Sequence, residues 1–148
     1  MFGLFRKKVL VYPSEVQWSV SQGEHGGKPI FVRRNTSAAS LERHPDYRFR
    51  VGVAVPLKEP NSDGLPTEHE MDQLNAIEGR LCECMEREQE SLHVLAITAQ
   101  GMREFVFYTR SPARVGPTLE ALRSQVDTHE LQSYVAEDPK WTVYAQFA

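Results

Sequence analysis

The chain has 148 residues, of which 41% are hydrophobic and 25% charged. That length suits one domain, able to bury enough surface to stand without staples, and the ordinary content of 9 Gly, 9 Pro and 2 Cys excludes a disordered, collagen-like or disulfide-scaffold chain. With 17 basic against 20 acidic residues and a net charge of −3, it lacks the basic excess of a nucleic-acid-binding protein.

Residues 1–15 read as a lead-in and residues 16–148 as a single domain. Phe2, Leu4 and Phe5 beside Arg6-Lys7-Lys8 could form a small interfacial anchor, but a frayed terminus or short strand is the better reading. The apolar run from Val9 to Tyr12 is too short for a signal-peptide core, and no segment approaches the ~20 apolar residues of a membrane span. Val16, Trp18 and Val20 alternate, Gly23, Gly26 and Gly27 break the chain, and residues 28–34 return as a second strand, which makes a hairpin. Residues 35–45 are small and polar, a loop with one helical turn around Ala38 to Glu42.

Residues 47–57 keep period two for longest. Tyr47, Phe49, Val51, Val53, Val55 and Leu57 share one face of a strand, and Arg48, Arg50, Gly52, Ala54 and Pro56 the other. A turn-rich connection leads to Thr67-Glu-His-Glu70, a capping box in which the Thr67 hydroxyl takes the Glu70 N–H and Glu70 reaches back. Met71, Leu74, Ile77, Leu81 and Met85 then form the apolar stripe of a helix running to about residue 90. Residues 92–99 are nearly continuously apolar, a central strand; Gln100-Gly101 turns the chain, and residues 102–109 return. Gly116-Pro117 opens a second helix with its stripe at Leu119, Leu122 and Val126. Residues 131–137 form another strand, Asp138-Pro139 a turn, and residues 141–147 a last alternating strand.

Between residues 47 and 137 the order is strand, helix, strand, strand, helix, strand. The expected fold is therefore α+β: a ferredoxin-like βαββαβ antiparallel sheet with helices on one face, extended by an N-terminal β-hairpin and a C-terminal strand. Right-handed crossovers place strand 47–57 between strands 102–109 and 131–137.

Chemistry is harder to find. Cys82 and Cys84 lie two positions apart on a helix and so point about 200° apart, unable to pair. Two free thiols suit a reducing cytosol, and Cys-x-Cys without further ligands is no zinc site. His25, His44, His69, His93 and His129 are dispersed and read as surface residues; they form no HExxH and no Ser/His/Asp arrangement. The glycine-rich turn lacks phosphate-loop spacing. No metal and no cofactor is expected. The leading candidate patch is the sheet face that the helices leave open, where Arg48, Arg50, Glu104 and Tyr108 come together by antiparallel pairing. It reads either as an anion- or peptide-binding patch or as a cross-strand ladder that only stabilises the sheet. Phe105-Val106-Phe107-Tyr108 matches the tail of the RNA-recognition RNP1 pattern, but Gly101-Met-Arg-Glu104 lacks its basic and aromatic start.

Four stretches taken in order, Gly64-Leu-Pro-Thr67, Leu74-x-x-Ile-Glu78, Gly101-x-Arg-Glu-Phe-x-Phe-Tyr108 and Asp138-Pro-x-Trp-x-x-Tyr144, resemble the bacterial DUF695 family of unknown function. The resemblance implies a stand-alone intracellular α+β domain with no assigned activity. Some family members occur beside a domain similar to the protein inhibitor of ribonuclease E, which implies a regulatory or binding role by analogy. It carries over no catalytic residue. The shared residues also have plain structural readings: Gly101 and Asp138-Pro139 are turns, and Trp141 and Tyr144, on opposite parities of a strand, would place one ring inward and one at a rim.

The expectation is a cytoplasmic binding or regulatory domain that engages another protein, with homodimerisation through an edge strand also open and no membrane or nucleic-acid partner. The alternatives are a small hydrolase or acid–base enzyme on the open sheet face and, after it, an RNA-binding module. An enzyme needs a concave pocket with convergent polar groups and a perturbed titrating group. A binding module needs an exposed patch or a strand edge competent to pair.

Overall fold

The computed structural model describes residues 12–148; the basic and aromatic residues of the expected anchor, from Phe2 to Lys8, lie outside the described residues. Two strands, β1 (Trp18–His25) and β2 (Lys28–Asn35), form the hairpin. Its turn is only two residues long because Gly26 and Gly27 both take positive φ, 60° and 79°, which matches the twist of the flanking strands. Gly23, expected in the break, stays inside β1. A 3-10 segment, Thr36–Leu41, follows, and then β3 (Phe49–Pro56).

Helix α1 (Glu68–Met85) starts where the capping residues place it: the Glu70 N–H donates to Thr67 Oγ1 at 3.3 Å. The hairpin of β4 (Ser91–Ala99) and β5 (Met102–Thr109) comes next. Helix α2 (Pro112–Arg123) begins four residues before the expected Gly116, with Pro112 in its first turn and Pro117 inside it. The earlier start brings Val115 onto the same stripe as Leu119 and Leu122, and burial of that stripe selects it. Strand β6 (Gln132–Glu137) completes the sheet.

The expected C-terminal strand is absent. After Asp138 the chain turns into a short helix, α3 (Thr142–Gln146), entered through Trp141 at φ 54°. The reason is local and polar: Asp138 Oδ1 accepts both the Thr142 N–H at 3.0 Å and the Thr142 hydroxyl at 2.9 Å. A strand would forfeit both.

The result is an α+β fold on a six-stranded open antiparallel sheet, ordered β1-β2-β4-β5-β3-β6. Strand β3 lies between β5 and β6, at its expected position, and the hairpin adds to the free side of β4. The two long helices share one face. There Val51, Val53, Val55, Phe105 and Phe107 pack on Leu74, Ile77, Leu81 and Met85 of α1 and on Leu119 and Leu122 of α2.

The other face is not open. Leu92, Leu95, Val106 and Tyr108 are covered by Leu41, Tyr47, Trp141 and Tyr144 in a second core. Trp141 stacks on Tyr108 with ring centres 4.0 Å apart and planes at 6°, and its indole N–H donates to the Tyr47 carbonyl at 2.7 Å. Tyr144 meets Trp141 edge-on, and its hydroxyl donates to the Asn35 carbonyl at 2.8 Å. Both rings are therefore fully buried, where the strand reading had placed one at a rim. Tyr47 also changes sides. It precedes β3, so strand parity does not bind it, and it joins the second core rather than the face of Val51.

Trp141→Ala removes the stack and the indole hydrogen bond together. The expected cost is roughly 3–5 kcal/mol, read as a lowered urea midpoint.

Candidate functional site

Antiparallel pairing of β3 with β5 sets Arg50 directly opposite Tyr108 and Ala54 opposite Glu104. The proximity of Arg50 and Tyr108 expected from sequence is real, but a third residue mediates it. Asp138 Oδ2 accepts from Arg50 Nη1 at 2.8 Å and from the Tyr108 hydroxyl at 2.8 Å, while Oδ1 holds the start of α3. One carboxylate thus ties β3, β5 and α3 together. Burial alone would raise its pKa; the hydrogen bonds from Thr142, Tyr108 and Arg50 outweigh that and hold it below the usual carboxylate range. Burial and the adjacent carboxylate push the Tyr108 hydroxyl well above its ordinary value. At neutral pH the cluster is a fixed anion, cation and neutral phenol, with Tyr108 covered by Trp141 and Arg50 partly exposed, an arrangement suited to a lock between elements and not to proton transfer.

Glu104 reaches this lock through Tyr134, whose ring lies 5.6 Å from the Arg50 guanidinium, whereas Arg48 lies apart from it. The Tyr134 hydroxyl donates to Glu104 Oε2 at 2.8 Å, with its ring crossing over Gly52. A Cβ at residue 52 would stand 2.1 Å from that ring, so glycine is what lets Tyr134 lie flat across β3. Arg48 is half-exposed and pairs with Glu137 at 3.3 Å. Three of the four residues expected in one patch, Arg50, Tyr108 and Glu104, are therefore connected through Asp138 and Tyr134, and Arg48 forms a separate rim ion pair. Asp138 is the partner that the sequence reading missed; an Asp four residues before a Thr at a helix start was the available signal.

Three of the five histidines, expected on the surface, are buried: His44, His93 and His129. His93 lies between α1 and the sheet, its ring 4.7 Å from Phe107 in a stack, with Nε2 2.9 Å from the Leu95 carbonyl. Its Nδ1 is 3.5 Å from Cys82 Sγ and 3.7 Å from Glu78 Oε2, and its backbone N–H donates to Glu86. A cysteine beside a histidine invites a nucleophile reading. The electrostatics oppose it. Burial lowers the His93 pKa to about 4, against the favourable pull of Glu78. Burial, with Glu86 and Glu78 adding to it, pushes the Cys82 thiol up to about 12. Both groups are neutral at neutral pH, the reverse of an activated thiolate–imidazolium pair.

His129 Nε2 lies 2.6 Å from Glu70 Oε2, both side chains buried. The Glu70 carboxylate also accepts the backbone N–H groups of Lys58 and Glu59. The expected capping box is thus only half formed, because Glu70 turns from its own helix to close the segment after β3. Burial opposes its ionised form, but these donors hold its pKa below the ordinary value.

Two hollows stand out. The larger, about 840 Å3, runs between α1 and α2 and is lined by Arg80, Glu83, Arg87 and Arg114, the last of which pairs with Glu90. The second, about 470 Å3, lies between the hairpin and the start of α1, with Phe31, Leu65 and Met71 beside Arg33 and Arg103. Among the described residues no group of three His, Cys, Asp or Glu could hold a metal, and no helix is long and apolar enough to cross a membrane. Cys82 and Cys84 are free thiols, as expected.

The sequence profile described as Family of unknown function (DUF695) matches residues 16–148. The chain belongs to this family. No curated protein and no solved structure matches it. In this DUF695 chain the stretches that carry the resemblance do structural work. Gly64, at φ 79°, accepts the Gly101 N–H on its carbonyl at 2.8 Å and approaches Gln100 so closely that a Cβ would lie 2.9 Å from its Cα. Leu74 and Ile77 are core, and Glu78 binds Arg33 at 2.6 Å. Asp138, Trp141 and Tyr144 close the second face.

Asp138→Asn keeps the side-chain shape and leaves Arg50 without its counter-charge. The expected loss is about 3 kcal/mol at neutral pH. Wild-type stability drawn from this carboxylate is present above its unfolded pKa and lost as pH falls through the lower folded value. The gap between the two urea midpoints should therefore close in strong acid.

His93 adds a separate pH dependence. The unfolded ring takes a proton near 6.5, whereas the folded ring resists until about 4. Stability should fall as pH is lowered across that window, and be independent of His93 above it. Urea midpoints of His93→Gln, plotted against pH, should lack this slope.

Proposed function

We propose that this DUF695 domain is a cytoplasmic binding module that engages another protein by strand addition along the outer edge of β1. In this reading β3 to β6 with α1 and α2 form a ferredoxin-like unit, and the β1–β2 hairpin carries the contact edge beyond it. The observation that supports it is the edge itself. Strand β1 is eight residues long, WSVSQGEH, and at the end of the sheet pairs with β2 alone among the described residues. It is exposed from Ser19 to His25, with Val20 70% exposed. It contains neither proline nor lysine, the residues that usually blunt such an edge. The polar clusters that an enzyme would use are sealed or held in unreactive charge states, which leaves pairing as the favoured reading.

The register says which backbone groups would pair. A two-residue turn makes His25 and Lys28 a hydrogen-bonded pair. Alternation along β1 then spends Gly23, Ser21 and Ser19 on β2, consistent with the Gln17 carbonyl accepting from Thr36 at 2.9 Å. Glu24, Gln22 and Val20 turn their N–H and C=O groups outward.

Gln22→Pro removes one outward N–H while sparing those that hold the hairpin. The variant should keep the wild-type circular dichroism spectrum and lose the partners that wild-type protein retains from cytosol, or its self-association in sedimentation if the partner is a second copy. Partners held equally by both proteins, or β1 amides that exchange as fast in the complex as in the free chain, would overturn the reading.

A further inference from the structure

The hollow between the hairpin and α1 holds a buried guanidinium with no ion-pair partner among the described residues. Arg103, on the helix-covered face of β5, is 6% exposed. Its Nε donates to Thr98 Oγ1 at 2.8 Å, and Nη2 meets only the Met71 sulfur at 3.3 Å, a weak acceptor. Among the described residues it takes part in no ion pair. The neighbouring Arg33 is already bound to Glu78 at 2.6 Å, so this corner carries one positive charge in excess. Burial, with the Arg33 charge adding to it, disfavours the ionised guanidinium and outweighs the favourable pull of Glu78, so its pKa is lowered. A guanidinium left without a counter-charge in such a place costs free energy that an incoming anion would recover.

The walls fix the rest of the ligand. Val20, Phe31, Leu65, Pro66 and Met71 make most of the lining apolar, and the volume of about 470 Å3 falls within the range of small-molecule sites. A simple inorganic anion would leave those walls wet, and a neutral lipid would leave Arg103 unpaired. We propose that this cleft binds a small organic carboxylate with an apolar tail, its headgroup taken by Arg103 and its tail lying along Phe31, Leu65 and Met71. This site is separate from the outer edge of β1, and neither reading needs the other.

Octanoate titrated into the full chain and followed by calorimetry and amide chemical shifts is the direct test. Saturable binding is expected, with shifts at Phe31, Thr98 and Met71, and an affinity at least roughly tenfold above that of acetate, which lacks the tail, and of octanol, which lacks the charge. Arg103→Gln should weaken octanoate by tenfold or more. Asn75→Trp, an exposed position on α1 at the mouth of the cleft, should block it without touching Arg103. Absence of saturable binding by wild-type protein, octanol binding as tightly as octanoate, or an Arg103→Gln variant with unchanged affinity would overturn the proposal. Should Arg103→Gln not fold, an Asn75→Trp variant that binds octanoate as well as wild type would overturn it equally.

Discussion

The carboxylate of Asp138 joins two neighbouring strands of the sheet to the C-terminal helix. It takes Arg50 from β3, Tyr108 from β5 and Thr142 from α3, and so fixes where the C-terminal segment lands on the sheet. Once that segment is placed, Trp141 covers Tyr108 and ties itself to the Tyr47 carbonyl, and Tyr144 reaches the end of β2 through Asn35. The ionised form of Asp138 is tolerable there only because every one of these groups donates to it. The lock and the aromatic core depend on each other: Trp141 covers the Tyr108 end of the cluster, and the Asp138 carboxylate holds the turn that delivers the rings.

A sheet covered on both faces explains why its central strands read as they do. Strand β4 is buried at nearly every position from Ser91 to Ala96, and β5 from Phe105 to Thr109. Such strands lose the alternation of half-exposed ones and become continuous apolar runs. Much of the polarity that remains inside is satisfied individually, as His93 is by Leu95 and Cys82, and His129 by Glu70, though Asn35 Oδ1 and Arg50 Nε are buried without a hydrogen-bond partner among the described residues. What the interior does not consume appears at the margins, on β1 and at the outer side of β6, where Tyr134 and Val135 are exposed.

Local signals made much of this legible. Period two over Val51, Val53 and Val55, the stripe from Leu74 to Met85 and the Thr67 cap each survive because they are properties of a few adjacent residues. The sheet position of β3 was accessible because chain handedness constrains it. The failures have one physical origin, contacts distant in sequence. Seven residues from Trp141 to Phe147 fit alternation and a short helix equally well, and the choice fell to Asp138 and to rings that belong to other elements. A histidine in an apolar run such as His93 looks the same in sequence whether it is exposed or stacked on Phe107. Arg50 and Tyr108 could be placed opposite each other from strand parity, but nothing local says that a third residue would seal them.

The unsealed corner follows from the dimensions of the layers. Six strands spaced about 4.8 Å apart make a sheet roughly 25 Å wide, whereas two packed helices about 10 Å across cover only some 20 Å. Helices α1 and α2 lie over Val51, Val53, Phe105 and Phe107 in the middle of the sheet, and the added hairpin extends past them. On the opposite face the 3-10 segment and α3 make up the difference. On the helical face nothing among the described residues does, and the cleft opens where Phe31 and Val20 outrun α1. The same strand, β5, therefore presents two polar side chains with opposite outcomes: Tyr108, on the face that is closed, meets a carboxylate supplied by the chain itself, and Arg103, on the face left partly open, does not. The appended hairpin both supplies the free edge and creates the recess, so the two proposed contact surfaces have a single structural cause.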